Sequence, residues 1–386
     1  MRRRIRALST AFVVMMVASS VTGCDRTDQT ADSPSVLRLG ALVPLSGAYP
    51  AGKGMIPAYQ MAITEANDAG GVLGHRIELV TGDDGCDPGT AVTAANEMVT
   101  KDVTVSVGGS CSAATVPVLK VFRRAGVPMI IPASNSTDLL APGYDSVFLL
   151  SGTTLFEGKR AVALMRPFGS RRLALVDDGT SFPETLANAA AASVGASPGS
   201  GVTLATQLKL SQGAAKYPRV VQEVLRTHAD LVFYTGYHAE AGRLIRDLRT
   251  AGYTGKILLS DAGTDPALFQ QLSTAQAEGV YGLALPLAQF EPRATAWAEK
   301  YESITGEPPG PFTMQAYDAV RLALNAIKRA GSTDGEAVRK AIAATKPADV
   351  ELLSGPSEFS STGTQVNPRF ILLRVRNGAF ELEPRS

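Results

Sequence analysis

Residues 103–131 read VTVSVGGSCSAATVPVLKVFRRAGVPMII. The run 103–107 is apolar and β-branched, the length of a buried strand. Gly108-Gly109-Ser110 interrupts it, residues 113–124 carry a helical pattern, and Gly126 is a stop signal before a second apolar run, Val127-Pro-Met-Ile-Ile131. A strand, a helix and a strand in so short a span predict a parallel pair whose connection crosses one face of the sheet. The same alternation extends in both directions. Upstream, 36–43 predicts a buried strand, 55–69 a helix stopped at Gly70-Gly71, 76–80 a strand and 90–101 a helix. After Ser151 the pattern restarts. Helices are expected at 155–168, 183–194, 217–227 and 239–251, and strands at 172–176, 202–208, 231–234 and 256–260.

Two successive parallel-sheet units predict an α/β protein of two lobes with a cleft between them. Removing the leader leaves more chain than one core ordinarily uses. Late helices at 293–301, 313–330 and 335–344, then strand-like runs at 370–375 and 379–382, must pack somewhere. Their return to the first lobe gives several hinge crossings. The expected division is 36–152 plus about 285–365 for lobe 1 and 153–284 plus about 366–386 for lobe 2.

The first residues read as an export signal over 1–23. Arg2, Arg3, Arg4 and Arg6 precede an apolar stretch at 11–21, too short to span a bilayer. Val21-Thr22-Gly23-Cys24 resembles a bacterial lipobox, which makes Cys24 the expected lipidation site and 24–35 a polar tether. Three cysteines are present, so Cys86 and Cys111 remain. In an exported chain they pair most simply, two free thiols or a metal pair being the alternatives. A formal net charge of +1 gives no electrostatic footprint for nucleic acid.

Motifs for catalysis or metal binding read weakly. Gly195-Ala-Ser197-Pro-Gly199 matches G-x-S-x-G, but the helix precedes it and the strand follows, the reverse of a nucleophile elbow. Gly108-Gly109-Ser110 lacks the spacing of a dinucleotide fingerprint and the Lys of a phosphate loop. His238 and Glu240 lie two apart, a poor metal pair, and are expected at the surface. Asp83, Asp84 and Asp87 form a cluster in which turn formation outweighs a calcium site. No cofactor or metal is expected.

Ligands of doubly wound sheets sit beyond the carboxyl ends of the strands. Here those ends are polar and Gly-rich: Pro44-Leu-Ser46-Gly47, Gly108-Gly-Ser-Cys111-Ser112, Pro132-Ala133-Ser134-Asn135, Thr235-Gly236-Tyr237-His238 and Ser260-Asp261-Ala-Gly263. Ser112, at a helix start, can serve as an N-cap or help to hold a carboxylate. On Gly40-Ala-Leu-Val-Pro-Leu-Ser-Gly47, ITEANDAGGVLG over 63–74, Asp83-Asp-Gly-Cys-Asp-Pro88, Gly109-Ser-Cys-Ser112, Ile131-Pro-Ala-Ser134 and Tyr234-Thr-Gly-Tyr-His238, the chain resembles the amino-acid-binding branch of type I periplasmic binding proteins. These are the extracytoplasmic subunits of branched-chain amino-acid ABC importers.

The resemblance implies a fold and a site. The fold is two mostly parallel sheets joined by hinge crossovers. Ser112 would hold the ligand carboxylate, the Ala133 carbonyl would accept from the ammonium, and Asn135 stands where the family has Thr. Tyr237 would seal the site from the second lobe. Asp261 stands where the family usually has Glu as ammonium counter-ion. Phe182, Tyr49 and Ser134 are peripheral candidates, and Cys86–Cys111 matches the family disulfide. The partners implied are an amino acid, a membrane permease with cytoplasmic ATPases, and the membrane through a lipid anchor at its outer face, the protein itself being a monomer. A sensor subunit of the same fold, or a binder of amides, urea-like or aromatic solutes, is the alternative. An enzyme is not expected.

Overall fold

The computed structural model describes residues 35–47, 49–196 and 201–384. The expected export signal 1–23, Cys24 and the tether up to residue 34, and Ser197, lie outside the described residues.

The first sheet has five strands in the order β2-β1-β3-β4-β5, all parallel. They are β1 Val36–Val43, β2 Arg76–Asp83, β3 Val103–Ser106, β4 Met129–Ile131 and β5 Val147–Leu149. Helices α1 Gly52–Asp68, α2 Pro88–Thr100 and α3 Ser112–Arg124 connect the first four. β1 is buried along nearly its whole length, as expected of a parallel strand covered on both faces. α2 begins where its sequence says it should: Asp87 accepts from Thr90 N–H at 2.8 Å and Pro88 fills a position that needs no donor.

The second sheet has seven strands in the order β12-β11-β10-β9-β8-β6-β7. Five are parallel: β6 Arg172–Asp177, β7 Thr203–Lys209, β8 Leu231–Tyr234, β9 Lys256–Leu259 and β10 Tyr281–Ala284. β11 Ile371–Arg376 and β12 Ala379–Leu382 add an antiparallel hairpin at its edge. The covering helices are α4 Thr154–Ala163, α5 Met165–Phe168, α6 Ser181–Gly195, α7 Pro218–Arg226, α8 His238–Thr250 and α9 Thr274–Ala277.

The single helix expected at 155–168 is two. Pro167 has no N–H to donate to the Ala163 carbonyl and its ring crowds that oxygen, so the helix breaks at Leu164. β5 and β10 were not expected; each is short and takes its definition from the strands beside it.

The core of the first lobe draws on residues 37–150 and again on 285–359. The second stretch brings α10 Thr295–Thr305, α11 Thr313–Ala330 and α12 Gly335–Ala343, with α11 packed on α1. The second sheet has a separate core on each face. The chain therefore passes between lobes three times, after β5, after β10 and before β11. Glu291, buried beside the second crossing, receives Arg369 of the third at 2.7 Å. Cys86 and Cys111 are joined as a disulfide with Cα atoms 5.4 Å apart, tying the loop after β2 to the start of α3.

A candidate ligand-binding cleft between the lobes

In each sheet the winding reverses beside the strand next to one edge, β1 between β2 and β3, and β6 between β7 and β8. The carboxyl ends of the strands near those reversals are where a ligand site is expected. Both ends face one small space of about 10 Å³, room for about one water molecule. A larger groove of about 890 Å³ lies elsewhere, between α4 and the β11–β12 hairpin. No carboxyl end of a parallel strand opens into it, and exposed Lys159 and Arg160 rim it. Size alone does not mark the site.

The first lobe contributes hydroxyls, an amide and a helix start. Gly109 adopts φ of +113°, which a side chain would resist. Its carbonyl accepts from Ala133 and Ser134 N–H, which fixes the loop after β4 against the loop after β3. Ser112 is the first residue of α3, and Cys111 occupies the cap position without a side-chain bond, so Ser112 is not an N-cap. Its Oγ accepts from Ser136 N–H at 3.3 Å. The N–H groups of a helix's first turn have no intrahelical acceptor, so this end attracts an anion. Ser110 also lines the space; its Oγ is buried with no hydrogen-bond partner among the described residues. Phe312, at the start of α11, closes one side with φ of +65°, a strained conformation for a bulky residue.

The second lobe contributes aromatics and acids. Tyr237 packs its ring 4.7 Å from Tyr49 and 5.9 Å from Phe182, bridging the lobes. Burial raises the Tyr49 phenol well above its ordinary range, with Asp265, Tyr237 and Asp261 adding to the effect. Asp261 follows β9 and is buried. The turn after it is capped by Asp265, which accepts from Ala267 N–H at 2.8 Å. The Asp261 carboxylate accepts instead from Asn135 Nδ2 at 3.3 Å. Burial pushes its carboxyl up to about 7.

Behind Asp261 stands Glu157, which sequence reasoning missed. It is fully buried on α4, where Leu155 and Phe156 are exposed at 57% and 45%. The helix thus turns two apolar side chains to solvent and an acid inward. Gly158 permits this by letting α4 approach α6, since a Cβ there would come within 2.8 Å of the Ala190 nitrogen. Glu157 Oε1 accepts from Asp261 N–H at 3.0 Å and Oε2 from Asn135 Nδ2 at 3.3 Å. Burial and then the neighbouring Asp261 raise its carboxyl well above the usual range.

Of the residues expected from sequence, Ser112, Ala133, Asn135, Tyr237, Asp261, Tyr49 and Phe182 line the one space. Ser134 does not: its hydroxyl is turned to Thr115 Oγ1 at 2.9 Å. Ser110, Ala262 and Phe312 join the lining; Ser110 was within reach of sequence reasoning, since it lies in the loop that carries Ser112. His238 and Glu240, expected at the surface, are both buried. The His238 ring sits 5.5 Å from Tyr49, and Glu240 pairs with Arg243 at 3.2 Å, because the start of α8 is tucked under the cleft. The acidic cluster is turn-forming: Asp83 accepts from Leu45, Ser46 and Gly85 N–H, Asp84 from Cys86 N–H, and Asp87 caps α2.

The sequence model of the family described as periplasmic binding protein matches residues 36–379, from the first strand to the last hairpin. The chain belongs to that family. Among relatives of this periplasmic binding protein, Leu/Ile/Val-binding protein homolog 3 of Brucella melitensis is 29% identical over 350 residues, 89% of this chain and 92% of its own. The leucine-, isoleucine-, valine-, threonine- and alanine-binding protein of Pseudomonas aeruginosa is 26% identical over 324 residues, 84% of this chain and 85% of its own. A crystal structure of the branched-chain amino acid transporter substrate-binding protein of Streptococcus pneumoniae, in complex with isoleucine, shares the fold. Its TM-score is 0.81 at 24% identity, covering 90% of this chain and 98% of that one.

Proposed function

We propose that this protein is the extracytoplasmic solute-binding subunit of an ABC importer and that it captures an amino acid, branched-chain or related, between its lobes. The observation that carries the reading is the complementary pairing of the cleft walls. A helix start with Ser110 and Ser112 faces a wall holding Asp261, Glu157 and Tyr237. A zwitterion presents a carboxylate to the first and an ammonium to the second. The relatives' names support the ligand class.

In this reading Ser112 and the α3 N–H groups take the carboxylate, Asp261 and the Ala133 carbonyl take the ammonium, and Tyr49, Phe182 and Tyr237 enclose the remainder. A space of about 10 Å³ is too small to admit such a ligand without lobe movement. Entry therefore requires rotation about the three crossings. Rotation would part Tyr49 from Tyr237, Asn135 from both acids, and Ser181 from Asp138, which it meets at 2.7 Å. A permease with its ATPases would receive the closed form. The reading includes no catalytic step and no cofactor. In this reading the protein acts as a monomer held to the outer face of the membrane by lipid on Cys24, as the lipobox-like Val21-Thr22-Gly23-Cys24 suggests.

Calorimetric titration of the purified protein with the common L-amino acids, acetamide and urea tests the ligand. Saturable binding of one or more branched-chain amino acids is expected, and binding of amides alone would overturn the reading. Replacing Cys24 with Ser should release the protein from the membrane fraction; unchanged fractionation would remove the anchor.

A further inference from the structure

We propose that Glu157 and Asp261 form a proton-sharing carboxylate pair that selects a ligand bearing an ammonium group, and that the ligand's cation drives the shared proton into solvent on binding. This rests on the amino-acid reading above and adds to it a residue, a charge requirement and a proton.

The geometry is that of two acids with too few donors. Both are buried, and the amide of Asn135 reaches across from the first lobe to both, at 3.3 Å each. Beyond that amide, Asp261 N–H donates to Glu157 and Ala262 N–H donates to the Asp261 carboxyl. The titratable groups that face the pair are the phenols of Tyr49 and Tyr237, themselves pushed up by burial and so neutral. Asp265 and His238 lie beyond Tyr49, and Asp178 and Asp84 act on Tyr237, so the surroundings are acidic. The cavity lining contains no Lys or Arg, and Lys159 and Arg160 of α4 are turned to solvent. Two unpaired buried carboxylates in such a place are expensive, and holding one proton between them removes most of the repulsion. The pair then titrates as a unit, consistent with the upward shift of both groups.

An ammonium supplies the missing charge. It keeps its own three protons, the carboxyl O–H bond breaks, and that proton leaves for the buffer. The pair goes from one negative charge to two, the ligand adds one positive, and the subsite ends with the charge it began with. A neutral amide or urea brings no charge and displaces no proton. The buried, unpartnered Ser110 Oγ on the opposite wall is an independent sign that a polar ligand completes this space. Glu157 is thus a positioning residue that also sets the charge to be met.

The test is calorimetry of the full chain with L-leucine in buffers of different ionisation enthalpy, repeated across about pH 5.5–8. The expected result is release approaching one proton per leucine near pH 6. Affinity should rise by up to about tenfold per pH unit below the pair's midpoint and level off above it. Glu157→Gln should cut proton release near neutrality and flatten that rise, and 4-methylpentanoate, which lacks the ammonium, should show neither effect. Leucine binding with no proton exchange and a flat profile would overturn the inference and leave the amino-acid reading standing. Binding of acetamide or urea in place of every amino acid would overturn both. The measurement on the unsubstituted protein decides the matter even if Glu157→Gln folds poorly.

Discussion

The two walls of the cleft are built to opposite plans. The first lobe offers donors carried by backbone and small side chains: the start of α3, Ser110, Ser112 and the Asn135 amide. The second offers acceptors and rings: Asp261, Glu157, Tyr237 and Phe182. Donors of the first kind are redundant, because several N–H groups of one helix turn share the work. The acceptors of the second are not, because Asp261 and Glu157 form one buried acidic pair and the lining holds no Lys or Arg to replace a lost partner. The difference teaches that the first wall should tolerate substitution and the second should not.

The largest effect is therefore expected on the second wall. Asp261→Ala removes one partner of a buried charge pair, about 2–5 kcal/mol, and should weaken binding of the preferred amino acid by roughly 30-fold or more by calorimetry. An unchanged affinity would erase the contrast between the walls.

The second effect sharpens the contrast in stability. Only the first lobe has a disulfide among the described residues, closing a loop of 25 positions. Its loss through Cys86→Ala with Cys111→Ala should cost about 3 kcal/mol in denaturant unfolding. Denatured, unreduced protein should show neither of these thiols to a thiol reagent.

The third concerns pH. Burial raises Asp261 to about 7, and Asp84 and Asp318 of the first lobe to about 6. Each is raised above its unfolded value of about 3.9. The stability such groups contribute is complete below about pH 4 and is lost as pH climbs through their folded values. The ligand-free melting temperature should fall from pH 4 towards 7, and Asp261→Asn should recover about 2 °C or more of that fall at neutrality. A melting temperature that rises steadily over this window would show that these acids are ionised and satisfied.

The smallest effect is on the first wall. Ser112→Ala should cost only a few-fold in affinity, because the N–H groups of α3 remain. A loss as large as that of Asp261→Ala would mean that the hydroxyl, not the helix, holds the anion.

The contrast between the walls also explains what was legible in the sequence. β1 was readable because both its faces are covered, which makes it a nearly unbroken apolar run. The strand-end loops were readable because glycine and serine gather where the chain turns tightly at the cleft. β5 and β10 were not, since runs of three or four residues take their meaning from partners far away in sequence. Glu157 was hidden for a different reason. With Leu155 and Phe156 before it and Lys159 and Arg160 after it, the local pattern assigns the acid to solvent, and only the packing of Gly158 on α6 turns it inward. Its one trace in sequence is a helix whose apolar residues fail to form a single face. Phe312 left no trace, because its strained backbone comes from the way α11 is docked.

The three passages of chain between the lobes bear on how the molecule comes into being. A polypeptide threaded outward from its amino end presents the first sheet early, but that sheet lacks α10, α11 and α12, which contribute much of its core. It must wait, incompletely covered, while the whole of the second sheet except its edge hairpin emerges. The half that starts first therefore cannot finish first. The two lobes mature almost together, once α12 and then the β11–β12 hairpin have been made, and a chain cut short by release before α11 would yield not one good lobe and one bad one but two unfinished ones.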